Sequence, residues 1–120
     1  MKTESALSVV RLIRATRYAA EGLVAAWRGE AAFRLEVIVA GILAPIGWVT
    51  GGTGVERALL LGSLVVVLLT ELLNSAIEAT VDRIGPERHP LSKRAKDLGA
   101  AAVMVALINA GVIWLAVWLG

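Results

Sequence analysis

Three long stretches without a single charge constrain this chain more than anything else in it. Residues 37–55 (VIVAGILAPIGWVTGGTGV), 58–70 (ALLLGSLVVVLLT) and 98–120 (LGAAAVMVALINAGVIWLAVWLG) contain no Asp, Glu, Lys or Arg. A helix that crosses the hydrocarbon core needs about 20 mostly apolar residues, with every backbone polar group satisfied inside the segment. The first and third stretches reach that length directly. The second reaches it only by continuing to about residue 77, which carries Glu71 below the membrane surface. Three transmembrane helices are therefore expected, over about 35–51, 57–80 and 97–119, with Pro45 kinking the first.

The remaining arithmetic agrees. The chain has 120 residues, 58% of them hydrophobic and 18% charged, with a mean hydropathy of +0.75. These values exclude an ordinary soluble domain and a disordered chain, and predict a single all-α membrane domain over 1–120. There is no cysteine and one histidine, His89. Disulfides, thiolate metal sites, cysteine nucleophiles and a His-rich zinc site are excluded. The first apolar span follows a long charged segment, so no cleavable signal is expected.

The basic residues set an orientation. Lys2, Arg11, Arg14, Arg17, Arg28 and Arg34 precede the first span, and Arg83, Arg88, Lys93, Arg94 and Lys96 lie between the second and third. Only Arg57 lies in the turn between the first two. The positive-inside rule then puts the N-terminus and a loop over 82–96 in the cytoplasm, and the C-terminus outside.

Residues 5–33 contain no proline and follow a 3.6-residue period. Val9, Leu12, Ile13, Ala20, Leu23, Val24 and Trp27 share one arc. Ser8, Arg11, Arg14, Arg17, Tyr18, Glu21 and Arg28 lie opposite. A basic face backed by an apolar stripe predicts an amphipathic helix lying in the membrane interface. Anchoring to anionic headgroups accounts for the arginines, but not for Glu30.

The second span holds the most informative pattern. On a helix, Glu71, Asn74, Ser75, Glu78 and Asp82 fall within about 100° of one another. Glu71 lies about 9 Å below the expected surface at 1.5 Å per residue. A carboxylate at that depth costs on the order of 2.5–3.5 kcal/mol, so it must face protein or water. A lone acid there could be a neutral carboxyl bonded to a neighbouring helix. A stripe of three acids running to the cytoplasmic boundary points instead to function. The loop that follows adds Lys93, Arg94 and Lys96 beside Asp97. Carboxylates that can hold a hydrated Mg²⁺, with lysines near them, suit a polyphosphate. No Walker A or kinase glycine-rich loop is present. Residue chemistry alone reaches a metal-capable, cytoplasm-facing site and no particular substrate.

Four segments carry a resemblance. WRGEAAFR (27–34), ELLNSAIEATVDRIG (71–85), ERHPLS (87–92) and RAKDLGAAAV (94–103) are similar to the small prokaryotic diacylglycerol kinases, and the likeness runs from about Arg11 to the C-terminal tryptophans. The resemblance implies an integral-membrane homotrimer, a helix bundle of one interfacial and three transmembrane helices per chain in the bacterial inner membrane. It implies transfer of the ATP γ-phosphate to the hydroxyl of diacylglycerol, giving phosphatidic acid, with Mg²⁺ required. It makes Glu71 the general base and Glu30 and Glu78 the metal–nucleotide carboxylates. Arg11, Tyr18, Glu87, Arg88, His89, Lys96 and Asp97 match nucleotide-contacting positions. Arg11, Glu71, Ala100 and Trp114 match lipid-contacting ones, and Asn74 and Asp82 match residues that order the site. Ala100 departs from the serine of enteric members.

Oligomerisation has independent support in the small residues of the third span, Gly99 to Ala102, Ala106, Ala110 and Gly111, which allow helices to approach closely. Two other functions stay open at this level. Some members of the family phosphorylate undecaprenol. A small proton-coupled multidrug exporter also uses a membrane-embedded Glu, but with four spans and without a basic interfacial helix.

Overall fold

The computed structural model describes residues 2–120 and is built of four helices. They are α1 (Lys2–Gly29), α2 (Ala31–Thr50), α3 (Gly54–Ile84) and α4 (Pro90–Leu119). The last three are each long and apolar enough to cross a membrane, so this is an all-α membrane protein with three candidate spans, as the charge-free stretches predict. There is no strand among the described residues.

The helix boundaries fall where local chemistry puts them. The sequence placed the first break after residue 33, whereas the structure breaks at Glu30, which is extended at φ −119°, ψ 104°. Arg34 fixes that corner. Its guanidinium donates to the backbone carbonyls of Trp27 and Arg28, at 2.8 and 3.1 Å. These are carbonyls that the end of α1 would otherwise leave unpaired, and a cation suits the negative end of a helix. α2 then runs unbroken through Pro45.

α3 starts at an N-cap. The Thr53 hydroxyl accepts from the Glu56 N–H at 3.1 Å, and the Glu56 carboxylate accepts from the Gly52 N–H at 2.6 Å. This reciprocal pairing resembles a capping box. α3 ends at Gly85, whose φ of 149° and ψ of 169° lie where only glycine goes without strain. The expected loop over 82–96 contracts to the residues between Ile84 and Pro90, because Pro90 starts α4 with His89 as its cap. The side chain of His89 accepts through Nδ1 from the Leu91 N–H at 3.1 Å. Pro90 supplies a φ already suited to a first helical position and has no N–H to leave unpaired.

Packing is tightest between α3 and its neighbours. Leu60 is wholly buried, and Phe33, Val67, Val81 and Ala106 nearly so. Most other apolar side chains of α2 and α4 are exposed in the single chain, including Met104, Val105, Ile108 and Val112. That is normal for surfaces that meet lipid or another helix.

Candidate active site at the inner end of the bundle

α3 presents its acidic stripe as the sequence spacing requires. Glu71 and Asn74 are buried, at 6% and 8% exposure, Glu78 is half-buried and Asp82 is exposed. The stripe thus runs from the interior of the bundle to its open end. Asn74 Nδ2 donates to Glu78 Oε1 at 3.3 Å, one helical turn away. Glu71 has no hydrogen-bond partner among the described residues.

Glu71 is not alone. Glu78 on its own helix and Glu30 at the α1–α2 corner are close enough for their charges to act on it. Glu36 on α2 faces Glu71 in the same way. Its Oε2 is buried without a hydrogen-bond partner. Sequence reasoning missed Glu36. It sits where a span begins, and an acid there ordinarily reaches water. The one available signal was its spacing, six residues after Glu30 and two after Arg34, within two turns of the corner.

The residues after α3 make the other half of the site. An open cleft of about 670 Å³ lies between the end of α3 and the start of α4, lined by Asp82, Glu87, Arg88, His89, Lys93 and Lys96 among others. Lys96 Nζ donates to Asp82 Oδ1 at 2.7 Å, across the turn between helices. Lys93 Nζ donates to Asp97 Oδ2 at 2.6 Å. Both lysines stand in the polar first turns of α4, ahead of its apolar run. The hydrogen bond to Asp82 raises the Lys96 pKa above its usual 10.5, with the Asp82 charge adding to it. Lys93 is raised likewise by its bond to Asp97. Both remain cations throughout the physiological range.

The single chain does not bring every candidate together. Arg11 and Tyr18 are exposed on α1 and do not line the cleft. Ala100 is exposed beside Gly99, at the inner end of the apolar part of α4. Trp114 lies far up the same helix. Its indole Nε1 donates to Ser63 Oγ at 3.0 Å, and its ring packs where a side chain at Gly47 would go.

The donor set suits a hard cation held only in part by protein. Among the described residues no group of three His, Asp or Glu side chains forms a metal cage. Glu30 and Glu78 offer carboxylate oxygens close to Glu71. Mg²⁺ is characteristically held by one or two carboxylates, completed by phosphates and water.

Comparison with known proteins finds one family. The family described as prokaryotic diacylglycerol kinase matches residues 17–118. A diacylglycerol kinase of Pseudomonas aeruginosa is 50% identical over 110 residues, covering 92% of this chain and 89% of its own. One from Haemophilus influenzae is 47% identical over 106 residues, covering 88% and 90%. One from Escherichia coli K12 is 48% identical over 104 residues, covering 87% and 85%.

Proposed function

Since the chain belongs to the prokaryotic diacylglycerol kinase family, we propose that it transfers the γ-phosphate of ATP to the hydroxyl of a membrane diacylglycerol. Phosphatidic acid is the product. The observation that carries this reading is Glu71, a buried carboxylate with no hydrogen-bond partner among the described residues, on the same helix face as Asp82, which lines the cationic cleft. It is the group suited to take the lipid hydroxyl proton as the oxygen attacks phosphorus. A diacylglycerol hydroxyl lies close under the membrane surface, the depth at which the Glu71 carboxylate sits.

Phosphoryl transfer asks a protein mainly for positioning and charge. Glu30 and Glu78 would hold Mg²⁺ with the nucleotide, and the ion, when bound, offsets charge on the phosphates. Asn74 steadies Glu78 by its amide hydrogen bond. Lys96, held by Asp82 at the rim, is placed to meet phosphate oxygens, and Asp97, Glu87, Arg88 and His89 line the approach for the rest of the nucleotide. Arg11 and Tyr18, exposed on α1 outside the cleft of their own chain, would meet the nucleotide only in the assembled trimer, with α1 in the interface and its arginines toward headgroups. Arg11, Ala100 and Trp114 contact the lipid, Trp114 through its acyl chains because of its distance along α4.

Three spans with α1 splayed from the cleft leave the site open. We therefore place it between copies in a homotrimer, in the bacterial inner membrane with the cleft cytoplasmic and the C-terminus outside. The test is radiolabelled ATP and Mg²⁺ with the purified protein in micelles containing diacylglycerol or undecaprenol. Labelled phosphatidic acid from the first supports the reading. Label confined to undecaprenyl phosphate, or to neither, overturns it.

A further inference from the structure

Gly99 is buried at the crossing of α3 and α4, in ordinary helical backbone that any residue adopts. Space, not conformation, explains a glycine there. A Cβ at position 99 would run into Asn74 Oδ1, and would stand 3.3 Å from Asn74 Cγ and 3.7 Å from Ile77 Cδ1. Gly41, Gly62 and Gly111, in the same three helices, would each accept a Cβ without touching anything. The glycine of RAKDLG is thus singled out among them by its contact with one side chain.

Asn74 is held from two sides. Its Oδ1 is pressed against Gly99, buried and without a donor. Its Nδ2 donates to Glu78 Oε1. Turning the amide over would set its carbonyl oxygen against a carboxylate oxygen, so only one orientation is chemically acceptable. A bulkier residue 99 forces the amide to move, and the amide carries the hydrogen bond that orients Glu78.

We propose that Gly99 is a positioning residue for the nucleotide half of the site: its missing side chain seats Asn74, and Asn74 aims the Glu78 carboxylate. This rests on the reading of Glu78 as a metal–nucleotide carboxylate. Gly99 touches no substrate and acts only through Asn74.

The test measures KM for Mg·ATP and for diacylglycerol in the full-length protein, with the unfolding midpoint recorded alongside. Gly99→Ala should raise KM for Mg·ATP about tenfold, as expected for a misdirected hydrogen bond to a charged group, and leave KM for lipid unchanged. In an Asn74→Ala background the same Gly99→Ala step should change KM for Mg·ATP less than about twofold, because the clash is gone. An equal factor in both backgrounds overturns the proposal. Asn74→Asp keeps the shape, avoids any clash with Gly99 and replaces the donor by an acceptor. It should also raise KM for Mg·ATP about tenfold, so it carries the test even where Gly99→Ala does not fold. An unchanged value in Asn74→Asp overturns the proposal. Glu78→Gln in the same assay separates the two levels. If it has no effect on Mg·ATP, the reading of Glu78 fails. If it raises KM while both other variants stay unchanged, only the role of Gly99 fails.

Discussion

The end of the bundle at the α2–α3 turn, proposed above as the outer one, is closed on itself, and the end at the α3–α4 turn, proposed as the inner one, is not. At the outer end Arg57 donates through Nε to the Trp48 carbonyl at 2.9 Å and stacks 5.1 Å from the centre of the Trp48 ring. Trp118 donates to Thr50 Oγ1 at 3.1 Å, and Trp114 to Ser63 Oγ. The two tryptophans of α4 meet edge to face at 5.5 Å. Each of these polar groups finds its partner inside the chain. At the inner end Glu36 Oε2 is buried with none, and Glu71 has no hydrogen bond among the described residues. Groups satisfied internally stabilise a fold, whereas groups left unsatisfied at a cost mark the place where something else must bind. Within one 120-residue chain the two ends have been given different tasks.

Four tests put that contrast at risk. The largest effect belongs to the inner end. Glu71→Gln keeps the shape and removes the proposed base, so turnover should fall about 10²–10⁴-fold with no loss of thermal stability. Near-normal turnover would take Glu71 out of the chemistry and blur the two ends together.

Leu60→Ala should do the reverse. Leu60 is completely buried between helices near the outer end. Packed leucines cost about 2–5 kcal/mol when cut to alanine, and the lower part of that range is expected in lipid, where the cavity term dominates. Denaturation in mixed micelles should show the loss, with kcat unchanged in the protein that stays folded.

Ser63→Ala removes the acceptor for the Trp114 indole and leaves its N–H buried between α3 and α4. The expected cost is about 1 kcal/mol. Trp114→Phe should cost less when added to Ser63→Ala than alone, which a double-mutant cycle on unfolding would read. Strict additivity would mean that the bond contributes nothing. Because Trp114 is also proposed to face the lipid, the KM of its variant for diacylglycerol is informative. Unchanged KM in Trp114→Phe would assign the residue wholly to the outer latch.

The smallest effect should come from Lys93→Ala. Its ion pair with Asp97 joins side chains that are 79% and 62% exposed, and water screens such pairs almost completely. The unfolding midpoint should not move. The pair raises the lysine pKa, so any contribution it makes is present below the usual 10.5 and lost only as pH climbs past the raised value. Stability should therefore be flat around neutrality in wild type and variant alike. A clear drop would show that the rim of the cleft is structural.

Much of the inner end was legible because it is local. Glu71, Asn74, Glu78 and Asp82 recur at three- and four-residue steps, and helix geometry alone puts such residues on one face. The cationic start of α4 follows within a few residues, so Lys96 could reach Asp82 across a short turn. Glu36 was not legible. An acid at the start of a span normally reaches the interface, and only the packing of α2 on α3 turns its carboxylate toward Glu71. The outer latches were illegible for the same reason, since Trp114 and Ser63 are 51 residues apart, and Trp118 and Thr50 are 68 apart. Gly99 could be seen as a small residue that lets helices approach, but not as the seat of one particular amide.

What the amino-acid order determined by itself is everything that depends on a single helix and its solvent. Apolar length decides which segments can cross hydrocarbon, and 3.6-residue spacing decides which acids share a face. What only the tertiary structure decided is which faces meet. Inside a bilayer the hydrophobic effect does not choose among apolar surfaces, so helix pairing rests on close packing and a few polar contacts between distant residues. Those contacts set Arg34 on the end of α1, Glu36 opposite Glu71 and Gly99 under Asn74, and no periodicity along the chain encodes them.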